Sequence, residues 1–169
     1  MNDNLPKIQR PLLGEPFLLT PGPLTTSYQV KEQMLRDWGS WDDDFRVMTQ
    51  EMRQRLLELI NDGGDEYDCV PMQGSGSFSV EAMLGTFIPP SGKALVLANG
   101  AYGKRSVQTL QYLKRDHIVL DKGDYLPPRG EEVAEILSQD LAITHVVAIH
   151  CETSSGILNP IEEISQATY

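Results

Sequence analysis

Asp68-Cys69-Val70-Pro71-Met72-Gln73-Gly74-Ser75-Gly76-Ser77-Phe78-Ser79-Val80-Glu81-Ala82-Met83-Leu84 decides the fold of this chain. An extended segment enters a turn of small residues, after which Val80, Met83, Leu84, Phe87 and Ile88 recur at helical spacing. That order predicts a strand, a tight turn and an amphipathic helix. A turn of Gly and Ser lets backbone amides approach a ligand closely, and the positive end of the helix dipole favours an anion there. Ser75, Gly76 and Ser77 are therefore candidate phosphate-binding residues, with two hydroxyls added to the amides. The same residues also read as a plain glycine turn with a serine cap. A dinucleotide fingerprint fails, since Ser79 stands three positions after Gly76 where a third glycine is needed, and a P-loop would require Gly-Lys-Ser/Thr. What stays open is a phosphate-bearing cofactor that is not a nucleotide.

Around this centre the chain alternates strand and helix. Lys93 to Ala98 is a short buried strand, and Asn99-Gly100-Ala101-Tyr102-Gly103-Lys104-Arg105 is a second small-residue loop leading into a helix to about Leu113. His117 to Leu120 is a third strand, Glu131 to Gln139 a helix, and Thr144 to His150 a fourth strand ending in Cys151-Glu152-Thr153-Ser154-Ser155-Gly156. The alternation predicts an α/β fold, a mainly parallel sheet with flanking helices. Ligands of such sheets bind beyond the carboxyl ends of the strands, and three polar loops fall there. Upstream, Thr20-Pro21-Gly22-Pro23 makes a stiff connector, and Thr26 or Ser27 caps a helix to about Trp38. Asp42-Asp43-Asp44 lacks the ligand alternation of a calcium loop and reads as a dipole-stabilised helix start. That helix carries Phe45, Met48, Met52, Leu56, Leu57 and Ile60 as a core or interface stripe and closes at Gly63-Gly64.

Composition narrows the function. With 169 residues, 40% hydrophobic and 22% charged, the chain has the make-up of one globular domain, and no apolar run nears the ~20 residues of a membrane span. A formal net charge of −10 argues against nucleic-acid or anionic-membrane partners. No secretory signal pattern opens the sequence, so a cytoplasmic location is expected. Cys69 and Cys151 lie far apart and read as reduced, buried thiols, and no metal-ligand spacing is present. His150 and Cys151 are neighbours whose side chains would diverge on a strand, which makes them packing residues instead of a nucleophile-base pair. Residues 1–15 read as a mobile arm, and residues 16–169 as the folded part.

Taken together, Thr20-Pro21-Gly22-Pro23, Gln73-Gly74-Ser75-Gly76-Ser77, Asn99-Gly100-Ala101-Tyr102-Gly103 and Glu152-Thr153-Ser154-Ser155-Gly156-Ile157-Leu158-Asn159-Pro160 resemble, in order, the loops of a class V aminotransferase. Such enzymes have the type I fold for pyridoxal 5′-phosphate (PLP). With Trp41-Asp42-Asp43-Asp44 included, the chain is most similar to the branch that moves the amino group of 2-aminoethylphosphonate to pyruvate. The resemblance implies that residues 16–169 are the N-terminal part of the PLP-binding large domain, incomplete at its C-terminal end. It further implies a phosphate cradle at Ser75, Gly76 and Ser77, and an aromatic ring from Tyr102 stacked on the cofactor. A hydroxyl from Thr153 near the cofactor's phenolic oxygen, Thr20-Pro21-Gly22-Pro23 at the substrate mouth, and a homodimer also follow from it. The class also needs a lysine that carries the cofactor and an aspartate at the pyridine nitrogen; no residue here matches either, and both are expected beyond Tyr169. An alanine-glyoxylate or serine-pyruvate type aminotransferase, and a non-catalytic phosphate-binding module, are the alternatives.

Overall fold

The computed structural model describes residues 14–60 and 67–168, which fall into two compact units, one reaching to Pro71 and one starting at Met72. Residues 1–13 of the expected arm and the Gly63-Gly64 helix stop lie outside the described residues.

In the first unit, α1 spans Tyr28–Gln33 and α2 spans Asp43–Leu57, prolonged by a 3-10 turn at Glu58–Ile60. Ser27 caps α1, its hydroxyl accepting from the Val30 amide, but the helix ends five residues short of the expected Trp38. Asp43 and Asp44 sit in the first turn of α2 as the dipole requires. The α2 stripe is not core here, for Met48, Met52, Leu56 and Ile60 are all exposed. Arg53 donates to the Cys69 carbonyl and Asp68, which ties the end of this unit to α2. The Thr20-Pro23 loop is closed by the Thr20 hydroxyl donating to the Pro23 carbonyl at 2.8 Å.

One expectation fails at the junction. Residues 68–72 form no strand, and Val70 is 73% exposed. A strand is a ladder to a neighbour, and no described segment pairs with this one, so its extended propensity is left without ladder hydrogen bonds.

The second unit carries the sheet. Its elements are α3 (Gly76–Phe87), β1 (Lys93–Ala98), α4 (Ala101–Tyr112), β2 (Asp116–Asp121), α5 (Gly130–Gln139), β3 (Ile143–Ala148), the short hairpin strands β4 (Cys151–Glu152) and β5 (Ile157–Leu158), and α6 (Ile161–Gln166). Strand order is β2-β1-β3 and both pairings are parallel. The central strand β1 is apolar throughout Ala94 to Ala98 because helices cover both of its faces. Alternation sends Ala94 and Val96 to one side, where Leu84, Ile88, Leu110 and Val147 meet them. Leu95 and Leu97 face the other side with Val133 and Ile164. Of the expected apolar face, Leu84 on α3 and Ile88 just after it are buried, while Met83 and Phe87 remain exposed.

Candidate functional site

Two helix starts define the polar end of the second unit, and they differ in what fills them. At α3, the Ser75 hydroxyl accepts from the Phe78 amide at 3.3 Å, an N-cap bond. The amides of Gly76 and Ser77 find no acceptor within the described residues. A Cβ added to Gly76 would meet nothing within 4 Å, so open space lies in front of this turn. Ser77 Oγ accepts from the Arg105 guanidinium at 2.9 Å, and that guanidinium lies 5.3 Å from the centre of the Tyr102 ring. Ser75, Ser77 and Arg105 line an open recess of about 350 Å³. Free amides, a hydroxyl, a helix dipole and a cation are the donor set of a phosphate site.

At α4 the corresponding amides are already taken. Ala101 N–H donates to Ser154 Oγ at 2.8 Å, while the Tyr102 and Gly103 amides each donate to Glu152 Oε2 at 3.1 Å. Ser154 in turn donates to Glu152 Oε1 at 2.6 Å. The Glu152 side chain is fully buried. Gly100 exists for this contact, since a Cβ there would stand 2.4 Å from Glu152 Cγ. Gly103 serves packing instead, where a Cβ would come within 2.8 Å of Ala98 Cα and push α4 off β1.

Under these turns lies a buried polar network. Asn99 and Asn159 exchange side-chain hydrogen bonds of 2.8 and 3.1 Å. Asn159 also donates to the Ile149 carbonyl, and Ser155 donates to the Asn99 carbonyl at 2.6 Å. The ends of β1 and β3 and the β4-β5 hairpin are thereby locked together.

The structure brings Ser75, Gly76, Ser77 and Tyr102 to one end of one unit, with Arg105 reaching both Ser77 and Tyr102. Tyr102 is on the first turn of α4 and not in a loop, because the helix begins two residues after β1's last neighbour, Asn99. The residue is 42% exposed. Thr153, half-buried, sits in the turn between β4 and β5, its hydroxyl without a partner among the described residues. Thr20, Pro21, Gly22 and Pro23 belong to the other unit. Cys69 and Cys151 are both free, but neither is buried: Cys69 is half-buried, and on the two-residue β4 alternation turns Glu152 inward and Cys151 outward, so Cys151 is exposed. His150 is likewise exposed, between β3 and β4.

Sequence reasoning missed Arg105, Glu152, Asn99 and Asn159. A signal existed for Arg105, three residues from Tyr102 and so on the same helix face. Nothing local marks Glu152, whose backbone partners, the Tyr102 and Gly103 amides, lie about 50 residues upstream.

No cluster of metal-ligating side chains occurs among the described residues, and no helix there is long and apolar enough to cross a membrane. Lys93 and Lys104 are held to Asp140 at 2.7 Å and Asp124 at 2.6 Å, hydrogen bonds that raise both ammonium groups above the ordinary lysine value. A lysine that attacks a carbonyl needs the opposite shift.

No protein-family model matches the chain. Over 157 residues it is 69% identical to a 2-aminoethylphosphonate–pyruvate transaminase of Rhizobium meliloti, an alignment covering 93% of this chain and 41% of that protein. A Pseudomonas fluorescens protein of the same name is 51% identical over 91% of this chain and 42% of its own length. The chain thus spans about two fifths of the curated relatives it matches. Among solved structures, pyridoxamine-pyruvate aminotransferase from Mesorhizobium loti superposes with a TM-score of 0.81 at 22% identity, covering 95% of this chain and 41% of that one. Alanine–glyoxylate aminotransferase from Nostoc sp. gives 0.78 at 24% identity, covering 99% of this chain and 44% of that one. The resemblance read from four loops is therefore carried along nearly the whole chain: it is similar in sequence to 2-aminoethylphosphonate–pyruvate transaminases and has the α/β fold of aminotransferases.

Proposed function

We propose that the complete enzyme containing this chain transfers the amino group of 2-aminoethylphosphonate to pyruvate, giving phosphonoacetaldehyde and alanine, with PLP as cofactor. The observation that carries the reading is the 69% identity to a transaminase of that name, joined to an open phosphate-type site where the resemblance puts the cradle. Bound PLP would supply the electron sink that makes the amino carbon's proton removable. The protein's share is positioning. The Gly76 and Ser77 amides and the Ser77 hydroxyl would hold the phosphate at the start of α3, with Arg105 balancing its charge. Tyr102 offers an exposed ring face for stacking on the pyridine, and Thr153 a free hydroxyl for the phenolic oxygen.

Residues 16–169 then form part of the PLP-binding large domain, with Thr20-Pro21-Gly22-Pro23 at the substrate mouth. A cytoplasmic homodimer belongs to the same reading, and the uncovered Met48, Met52 and Leu56 on α2 support an interface. The 169-residue chain alone is inactive on this view, because Lys93 and Lys104 are engaged by carboxylates and none of its lysines matches the one that carries PLP. The test is a donor and acceptor profile of the complete enzyme. Turnover of 2-aminoethylphosphonate with pyruvate is expected; preference for alanine with glyoxylate, without phosphonate turnover, would replace the substrate assignment.

A further inference from the structure

We propose that Glu152 is a positioning residue for the ring-binding side of the cofactor site, fixing Tyr102 and Thr153 relative to each other through the start of α4. The inference rests on the PLP reading above. Glu152 is 0% exposed, and among the described residues no Lys or Arg forms a direct ion pair with it, the Lys104 ammonium acting on it only through space. A buried carboxylate needs donors, and those it has are the Tyr102 amide, the Gly103 amide and the Ser154 hydroxyl. The positive end of the α4 dipole adds to them. Each contact bears on the ring site. Tyr102 is the proposed stacking residue, Thr153 is Glu152's chain neighbour, and Ser154 ties the same carboxylate to the Ala101 amide.

The arrangement divides labour between the two helix starts. At α4 all three first-turn amides are spent on Ser154 and Glu152, so no ligand anion competes for them. At α3 the Gly76 and Ser77 amides are left for the phosphate. Glu152 is therefore an internal stand-in for an anion, and its effect should fall on the ring and not on the phosphate.

The complete enzyme is tested as Glu152→Gln, which keeps the side chain's shape but loses the charge, and as Ser154→Ala, which removes the hydroxyl that orients the carboxylate. Readouts are the dissociation constants of PLP and of pyridoxal, which lacks the phosphate, the visible circular dichroism of bound PLP, and the thermal midpoint of the cofactor-free protein. For Glu152→Gln, PLP and pyridoxal affinities should fall by the same factor, about tenfold, as expected for one charge-assisted hydrogen bond. The dichroic band of bound PLP should weaken as the ring loses its fixed setting. Ser154→Ala should shift the same quantities in the same direction by less, and it keeps the inference testable if Glu152→Gln does not fold. A variant that lowers the thermal midpoint yet binds both ligands as wild type, with an unchanged band, overturns the inference, as does loss of PLP affinity with pyridoxal affinity intact. A wild-type enzyme that binds no PLP overturns the cofactor reading and this inference together.

Discussion

Asn99 and Asn159, sixty residues apart, pair their side-chain amides reciprocally in the interior, and each is at most 3% exposed. The pair clamps the end of β1 to the chain just before α6, and a third bond runs from Asn159 to the Ile149 carbonyl at 2.7 Å. Among the described residues no buried side-chain N or O lacks a partner, so any cut in this network leaves an orphan. Asn159→Ala in the complete protein should cost about 2–3 kcal/mol, since it strands the Asn99 amide and a carbonyl in a dry site. Thr20→Ala, which removes one exposed turn bond, should cost much less. Urea unfolding measures both, and an equal small loss for the two would remove the network from the account of stability.

Gly76→Val separates ligand binding from folding. A Cβ at Gly76 meets nothing within 4 Å and the residue sits in the first turn of α3, so the fold should accept the change. The added methyl groups would instead stand before the free Gly76 and Ser77 amides. PLP affinity should drop by about 10- to 100-fold, the loss of a charge-assisted hydrogen bond, with the thermal midpoint of the cofactor-free enzyme nearly unchanged. Lys104→Ala removes an exposed pair with Asp124 and should leave PLP affinity near wild type. Unaltered affinity in Gly76→Val would take the phosphate away from α3.

How much of this was legible before the structure depends on how local each cause is. The small-residue turn at residues 74–77 and β1 to β3 follow from patterns inside one segment, so a serine cap before a helix and the apolar run Ala94 to Ala98 stand where the sequence predicts them. Tyr102 was displaced from a loop to a helix because Gly100 and Gly103 look like loop residues, while their real causes are the Glu152 carboxylate and Ala98 Cα. The strand expected at residues 68–72 fails for want of a pairing partner, and Met48, Met52 and Leu56 read equally as core or interface because an apolar stripe does not say what covers it; the structure leaves them exposed. Glu152 and Asn159 act across 50 and 60 positions, beyond any spacing rule.

Tyr102→Ala should lower PLP retention by about 2- to 12-fold, the equivalent of an aromatic contact of about 0.5–1.5 kcal/mol. Tyr102→Trp should retain the cofactor, because stacking uses a ring face and the Arg105 guanidinium at 5.3 Å can equally lie over an indole. PLP loss during dialysis of the complete enzyme is the measurement. Equal losses from Ala and Trp would move the role from the ring to the phenol hydroxyl.

Two carboxylates set how the second unit responds to acid. Glu132 bonds first to Lys122, at 2.6 Å, and then to the Arg129 amide, at 3.0 Å, so its carboxyl is held below the usual range. Asp140 is lowered chiefly by the Lys93 ammonium and further by the Ala142 amide. A carboxyl whose folded value is depressed binds fewer protons in the native state than in the unfolded one. Its stabilising effect is thus fully present above the unfolded carboxylate value, about 4, and is lost as pH falls through the lower folded value. The two pairs anchor different places, the start of α5 to the residue after β2 and the end of α5 to the start of β1. Glu132→Gln and Asp140→Asn should each flatten the fall in stability below about pH 4 while leaving its slope between pH 6 and 8 as in wild type. Denaturant unfolding of the complete protein at stepped pH measures this, and an acid slope identical in wild type and the double variant would show that these two carboxylates do not set it.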